Sequence, residues 1–250
     1  MNKKLLTLII SSLIIGTLWE VTETSAEYSD VKLEAQAALV YDVKENKVLF
    51  AHNGHAQLPL ASLAKLMTAY SAVLENRATK EELCFMLTAS SNEMAETIAD
   101  RFVSNAGDRM RPFYFNKLDL GLNQTFYLNP TGLDLSSGLA GAYGSAIDQA
   151  KLIVRLETNF PELLRCTSEN SATFNDITIR NTNPDASHIS GLLGSKTGFT
   201  DLAGGNLAII FDAEIAHPII IVVMGSSEKG RFSDVASLAT IVREGLDLSK

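Results

Sequence analysis

A serine and a lysine three residues apart can work together when a helix carries them, because positions i and i+3 share a face. Ser62 and Lys65 are such a pair. Ser62 would be a nucleophile and Lys65 the amine that takes its proton. Lysine can do this only when neutral, and its ordinary pKa is about 10.4. The pair therefore calls for burial or for a second cation close by. Lys196, heading Lys196-Thr197-Gly198, is the candidate cation. Its ammonium and the Thr197 hydroxyl suit a substrate carboxylate, and Gly198 lets another backbone pass close. Between the two motifs lies Ser90-Ser91-Asn92. In a turn, an i, i+2 pair can point into one cleft. Ser90 would relay a proton to a leaving amine, and the Asn92 amide would hold a peptide C=O and N–H together. Acyl transfer is the chemistry such a set could perform, with helix N-terminal N–H groups steadying the developing oxyanion.

Each motif alone says little. Ser-x-x-Lys falls in many helices, Ser-x-Asn is usually a cap, and Lys-Thr-Gly is usually a strand end. Their joint order on helix, turn and strand is the specific signal, so the elements beneath them matter. Pro59 and Ser62 mark the start of a helix over residues 62–76, with apolar Leu63, Leu66, Met67, Tyr70, Val73 and Leu74 at helical spacing. Upstream, apolar residues 37–41 and 48–50 flank Lys44-Glu45-Asn46 as a β-hairpin. Residues 81–86 and 94–102 read as helices on either side of the Ser90 turn. Asn129-Pro130-Thr131-Gly132 is a turn opening a Gly- and Ser-rich loop to Tyr143, and residues 148–157 are helical. Lys196-Thr197-Gly198 leads a strand. Residues 207–211 and 218–224 form a second hairpin, apolar enough to be central in a sheet, and residues 233–246 close the chain as a helix. The expected class is α+β: one antiparallel sheet with strands from both chain ends and a flanking, inserted helical region.

The chain has 250 residues, 46% of them hydrophobic, and a net charge of −8. That is one sizeable core, and an acidic chain without a basic stripe is no candidate for nucleic acid. Lys3 and Lys4 precede an apolar run from Leu5 to Leu18, with small residues at Thr24-Ser25-Ala26. Residues 1–26 read as a secretory signal peptide, or an uncleaved N-terminal anchor that would tether the protein to a membrane. Either way residues 27–250, the expected catalytic domain, would lie outside the cytoplasm. Cys84, among Leu83, Phe85 and Met86, suits a buried free thiol; a single disulfide with Cys166 is open in an oxidising compartment. His52, His55, His188 and His217 show no metal-ligand spacing, and neither a metal nor another cofactor is expected. Residues 191–197 superficially suggest a phosphate loop, but Ser195 stands where that loop needs glycine.

With these motifs in hand, the chain resembles the D-alanyl-D-alanine carboxypeptidase family of low-molecular-weight penicillin-binding proteins. The similarity covers roughly residues 35–245. It runs through Ala61 to Ala69, Ser90-Ser91-Asn92-Glu93, Asn129 to Asp134, Lys196 to Thr200, Ala203 to Leu207 and Lys229-Gly230-Arg231. The resemblance implies a β-lactamase/transpeptidase-like fold, peptidoglycan stem peptides ending in D-Ala-D-Ala as substrate and β-lactams as inhibitors. It implies that Ser62 forms the acyl-enzyme, that Lys65 is its base and that Ser90 assists proton transfer. Lys196 and Thr197 would hold the terminal carboxylate, and the N–H groups of Ser62 and Phe199 would form the oxyanion hole. Arg231 is either a second carboxylate contact or a solvated surface arginine. Three departures stand out. The stretch between Lys65 and Ser90 is short for the family. Ile147 replaces a usual arginine beside Asp148, and the chain ends soon after the catalytic region. A non-catalytic penicillin-sensing module, a DD-endopeptidase and a β-lactamase are the competing readings. The last lacks a convincing deacylating glutamate, Glu157 being the nearest.

Overall fold

The computed structural model describes residues 31–102 and 109–248; the expected signal or anchor segment lies outside them. The N-terminal hairpin is β1 (Ala37–Asp42) and β2 (Lys47–His52). After the short β3 (Leu58–Pro59), a 3-10 turn (Ala61–Ala64) runs directly into α1 (Lys65–Leu74), α2 (Lys80–Thr88), α3 (Asn92–Asp100) and α4 (Arg111–Asp119). Next come β4 (Phe126–Tyr127), β5 (Ala142–Gly144), α5 (Ala146–Asn159), α6 (Pro161–Arg165) and a second 3-10 turn (Cys166–Ser168). A ribbon of β6 (Ser171–Phe174) and β7 (Ile177–Arg180) precedes β8 (Leu192–Thr200), β9 (Gly204–Glu214), β10 (His217–Ser226) and α7 (Gly230–Leu248).

The main sheet has the order β2-β1-β10-β9-β8, so strands from both chain ends meet at β1 and β10. All its pairs are antiparallel. Its faces bury alternate residues. Leu39, Tyr41, Ala208, Ile210, Ile220 and Val222 pack on the helical region, with Leu66, Met67, Tyr70 and Ile153 opposite. Val40, Leu207, Ile209, Phe211, Ile221 and Val223 pack beneath Val235, Leu238 and Val242 of α7. A sheet covered on both faces needs unbroken apolar strands, which is why residues 219–224 are all buried. The α+β expectation holds, and the strand-helix-strand order places the helices between the two halves of one sheet.

Local chemistry sets the helix starts. Thr79 accepts from Glu82 N while Glu82 reaches back to Thr79 N, a capping box for α2. Ser91 caps α3 through Met94 N, and Ser145 caps α5 through Asp148 N. Asp148 does not lack partners despite Ile147: Gln124 N and Thr125 Oγ1 donate to it at 2.7 and 2.8 Å. Cys84 and Cys166 form a disulfide, so the free-thiol reading is corrected. It joins α2 to the 3-10 turn beside β8. Among the described residues no helix is long and apolar enough to cross a membrane.

Candidate active site

Ser62 sits in a turn built by its neighbours. Ala61 takes a left-handed φ of 46°, a conformation that side chains resist and that persists only when surroundings impose it. Asn206 on β9, fully buried, donates to the Pro59 and Leu60 carbonyls at 3.0 Å each and accepts from Gly225 N at 2.8 Å. The turn is thus suspended from the sheet. Two glycines press on it. A Cβ on Gly198 would stand 3.0 Å from Leu60 O and 3.1 Å from Ser62 N, and one on Gly132, at φ +77°, would overlap the Ala61 carbonyl. Sequence reasoning missed Asn206 as a site residue; its signal was only a polar residue opening an apolar strand.

Lys65, the first α-helical residue, is fully buried. Its Nζ donates to Ser62 Oγ at 2.7 Å and to Thr131 O at 2.9 Å. The second contact explains the Asn129–Gly132 turn. Asn129 Oδ1 accepts from Gly132 N at 2.7 Å and its Nδ2 donates to Leu133 O at 2.9 Å, while Thr68 Oγ1 donates to Pro130 O at 2.7 Å. The loop is a fixed floor aiming the Thr131 carbonyl at the amine.

Across the cleft, Ser90 takes a left-handed φ of 54° between α2 and α3. Its Oγ accepts from Lys196 Nζ at 2.8 Å, and the same nitrogen donates to Thr197 O at 2.9 Å. Lys196-Thr197-Gly198 lies within β8 and does not lead it. Since β8 is the sheet's edge, one side of its backbone is left to the 3-10 turn of Ser62 and the cleft. Thr197 Oγ1 donates to Thr182 Oγ1 at 2.7 Å, a partner the sequence did not announce. Asn92 is exposed on the first turn of α3 and is not drawn into this network. Phe199 is 44% exposed at the rim. Arg231 is buried: its guanidinium donates to Gly198 O at 2.7 Å and lies 5.9 Å from the Phe199 ring centre and 4.8 Å from that of Phe232. The solvated-surface reading of Arg231 is therefore corrected.

Burial dominates the electrostatics. It lowers the Lys65 pKa from 10.5 to about 7, with Glu96 pulling weakly the other way. Lys196 is pushed down by burial first, then by the positive charges of Lys65 and Arg231. Desolvation is thus the largest cause of the lowered pKa of both lysines, and the like-charge repulsion between them opposes their being charged together. A half-buried hydroxyl with a buried amine of near-neutral pKa at hydrogen-bond distance is the arrangement of an activated nucleophile and its base. Among the described residues no cluster of His, Cys, Asp and Glu could hold a metal ion.

The D-alanyl-D-alanine carboxypeptidase family profile matches residues 21–111 and 74–228. A D-alanyl-D-alanine endopeptidase of Escherichia coli (strain K12) is 26% identical over 261 residues, covering 90% of this chain and 82% of its own. D-alanyl-D-alanine carboxypeptidase DacD of Salmonella typhimurium is 29% identical over 244 residues, 80% of this chain and 60% of the relative. Among solved structures, cefotaxime-bound penicillin-binding protein D2 from Listeria monocytogenes superposes with a TM-score of 0.77 at 28% identity, over 85% of this chain and 98% of that one. Penicillin-binding protein 6B from Escherichia coli gives 0.76 at 25% identity, over 89% and 81%. Fold, site and matched sequence agree: the chain belongs to the D-alanyl-D-alanine carboxypeptidase family of serine peptidases.

Proposed function

We propose that this protein removes the terminal D-alanine from peptidoglycan stem peptides through an acyl-enzyme on Ser62. The observation carrying the proposal is the fully buried Lys65 amine, 2.7 Å from Ser62 Oγ and with a pKa lowered to about 7. At neutral pH a large share of that amine is free to accept the hydroxyl proton. Ser62 then attacks the penultimate carbonyl, and the N–H groups of Ser62 and Phe199 hold the oxyanion. Ser90, bonded to Lys196, passes a proton to the departing D-alanine amine. Water hydrolyses the ester. Lys196, Thr197 and Arg231 bind the substrate's free carboxylate, and an arriving anion favours the charged form of Lys196. Asn92 at the rim holds the peptide backbone. β-Lactams, which carry a carboxylate beside a strained amide, acylate the same serine. Residues 27–250 constitute the catalytic domain, exported and released or tethered by residues 1–26. The disulfide supports an oxidising compartment.

Two assays test the proposal: labelling by a fluorescent penicillin, and release of D-alanine from a pentapeptide. Labelling without release supports a penicillin sensor; neither outcome supports a degenerate scaffold. A cross-linked peptide dimer separates the endopeptidase reading, which the Escherichia coli relative's name favours. Carboxylate capture is tested with Lys196→Gln, which should abolish the preference for a free-acid peptide over its C-terminal amide.

A further inference from the structure

We propose that Thr182 is a positioning residue that turns the Thr197 hydroxyl into a dedicated donor for the substrate's carboxylate, and so sets the preference for a free C-terminus. This rests on the carboxypeptidase reading of the site. Thr182 lies in the segment between β7 and β8, outside every motif of the cleft. Its hydroxyl is 2.7 Å from that of Thr197, and its own second acceptor, Thr88 O, is 3.5 Å away. That carbonyl already has a closer partner in Thr182 N, at 3.2 Å. Thr88 lies two residues before Ser90, so Thr182 bridges the Ser90 turn to β8 across the cleft's end.

Two hydroxyls at this distance share one proton between them, and only one can donate. Thr197 donates to Thr182, and while it does so only its lone pairs are left for a ligand. An acceptor there repels a carboxylate. For a carboxylate to be bound, the pair must reverse: Thr182 donates to Thr197, and the Thr197 proton turns to the anion. The reversal sacrifices only the 3.5 Å contact to Thr88 O, at the outer limit of hydrogen bonding. It also polarises Thr197, because a hydroxyl that accepts one bond donates a stronger one. With Thr182 donating, the Thr197 proton is turned toward the ligand, and a C-terminal amide that offers an N–H in place of one carboxylate oxygen meets a donor there. Without the Thr182 hydroxyl, Thr197 is free to rotate and to donate or accept, and an amide is then tolerated.

The test is the ratio of kcat/KM for a free-acid pentapeptide to that for its C-terminal amide, in wild type, Thr182→Val, Thr182→Ser, Thr197→Val and the pair Thr182→Val/Thr197→Val. Losing one polarising hydrogen bond should lower the ratio in Thr182→Val by about 5-fold, chiefly through KM for the free acid. Thr182→Ser, which keeps the hydroxyl, should restore it. Adding Thr182→Val to Thr197→Val should lower it no further, because the two act as one unit. A purely structural role would slow both peptides equally and leave the ratio at the wild-type value; that result, or a ratio unrestored by serine, overturns the proposal. A wild type that shows no preference for the free acid overturns the reading of the site itself, a result distinguishable from the first.

Discussion

Replacing Lys65 by methionine should make the protein more stable and catalytically inert together. Methionine has nearly the length of lysine and no charge to desolvate. Burial lowers the Lys65 pKa from 10.5 to about 7, which amounts to about 5 kcal/mol against the charged folded form. That cost is fully present below pH 7, where folded and unfolded chains both hold the proton. Between pH 7 and 10.5 the unfolded chain binds one proton more than the folded one, so wild-type stability climbs with pH by about 1.4 kcal/mol per unit. Above 10.5 the cost is gone. The substitution also strands the Thr131 carbonyl, which Lys65 satisfies in a residue only 2% exposed; an orphaned buried acceptor costs about 1–3 kcal/mol. The net gain for Lys65→Met at pH 6 is therefore about 2–4 kcal/mol, and it should vanish and reverse by pH 10. Relief of Lys196 from its like-charged neighbour acts in the same direction. Urea melts of both proteins at pH 6, 8 and 10 measure this. Parallel stability profiles, with no advantage for Lys65→Met at pH 6, would refute the claim that a desolvated amine occupies this position.

Ser62→Ala should lose penicillin acylation by several orders of magnitude, as removal of a nucleophile working with its base does, while its melting stays cooperative; a stable adduct on that variant counts against Ser62. The acidic limb of kcat/KM should fall near pH 7, where Lys65 loses its proton. Glu96 raises that pKa, so Glu96→Gln should move the limb to lower pH, and a shift to higher pH would contradict the assignment. Gly132→Ala must place a Cβ over the Ala61 carbonyl at a left-handed φ. We expect a loss of about 2–4 kcal/mol, as for strain plus overpacking, with slowed acylation; wild-type stability and labelling would show that the turn yields.

The site was legible where chemistry constrains residue type. The roles proposed for Ser62, Lys65, Ser90 and Lys196 rest on their side chains, and the structure brings these into two hydroxyl–amine pairs. The strands of residues 207–211 and 218–224 were legible because burial on both faces forces continuous apolar runs. What stayed hidden works through backbone or through partners distant in sequence. Thr131 contributes a carbonyl, which any residue has. Asn206 and Thr182 are ordinary polar residues whose partners lie 146 or 147 and 15 positions away. The β6–β7 ribbon escaped notice because β7 is exposed at every position and no position of β6 is fully buried, so no apolar face marks it. Helix α4 was missed for a related reason: Tyr114, Phe115 and Leu118 face outward, which breaks the apolar stripe that would have announced a helix.

The Cys84–Cys166 disulfide closes a ring with a sequence separation of 82. Inside the ring lie Ser90 and helices α3 to α6; Ser62, Lys65 and Lys196 lie outside it. The cleft is therefore the seam where a covalent loop meets the chain's two free arms. An unfolded ring of this size has lost chain entropy amounting to about 4–5 kcal/mol at 25 °C, so the oxidised chain starts its folding partly gathered. Thr167, next to Cys166, accepts from Ser195 N at 2.8 Å, which carries the ring's anchorage to the residue beside Lys196. Whether a covalent tie joins the hydrogen bonds that already cross this seam is thus decided by the thiol chemistry of the compartment in which the chain matures, before any substrate is met.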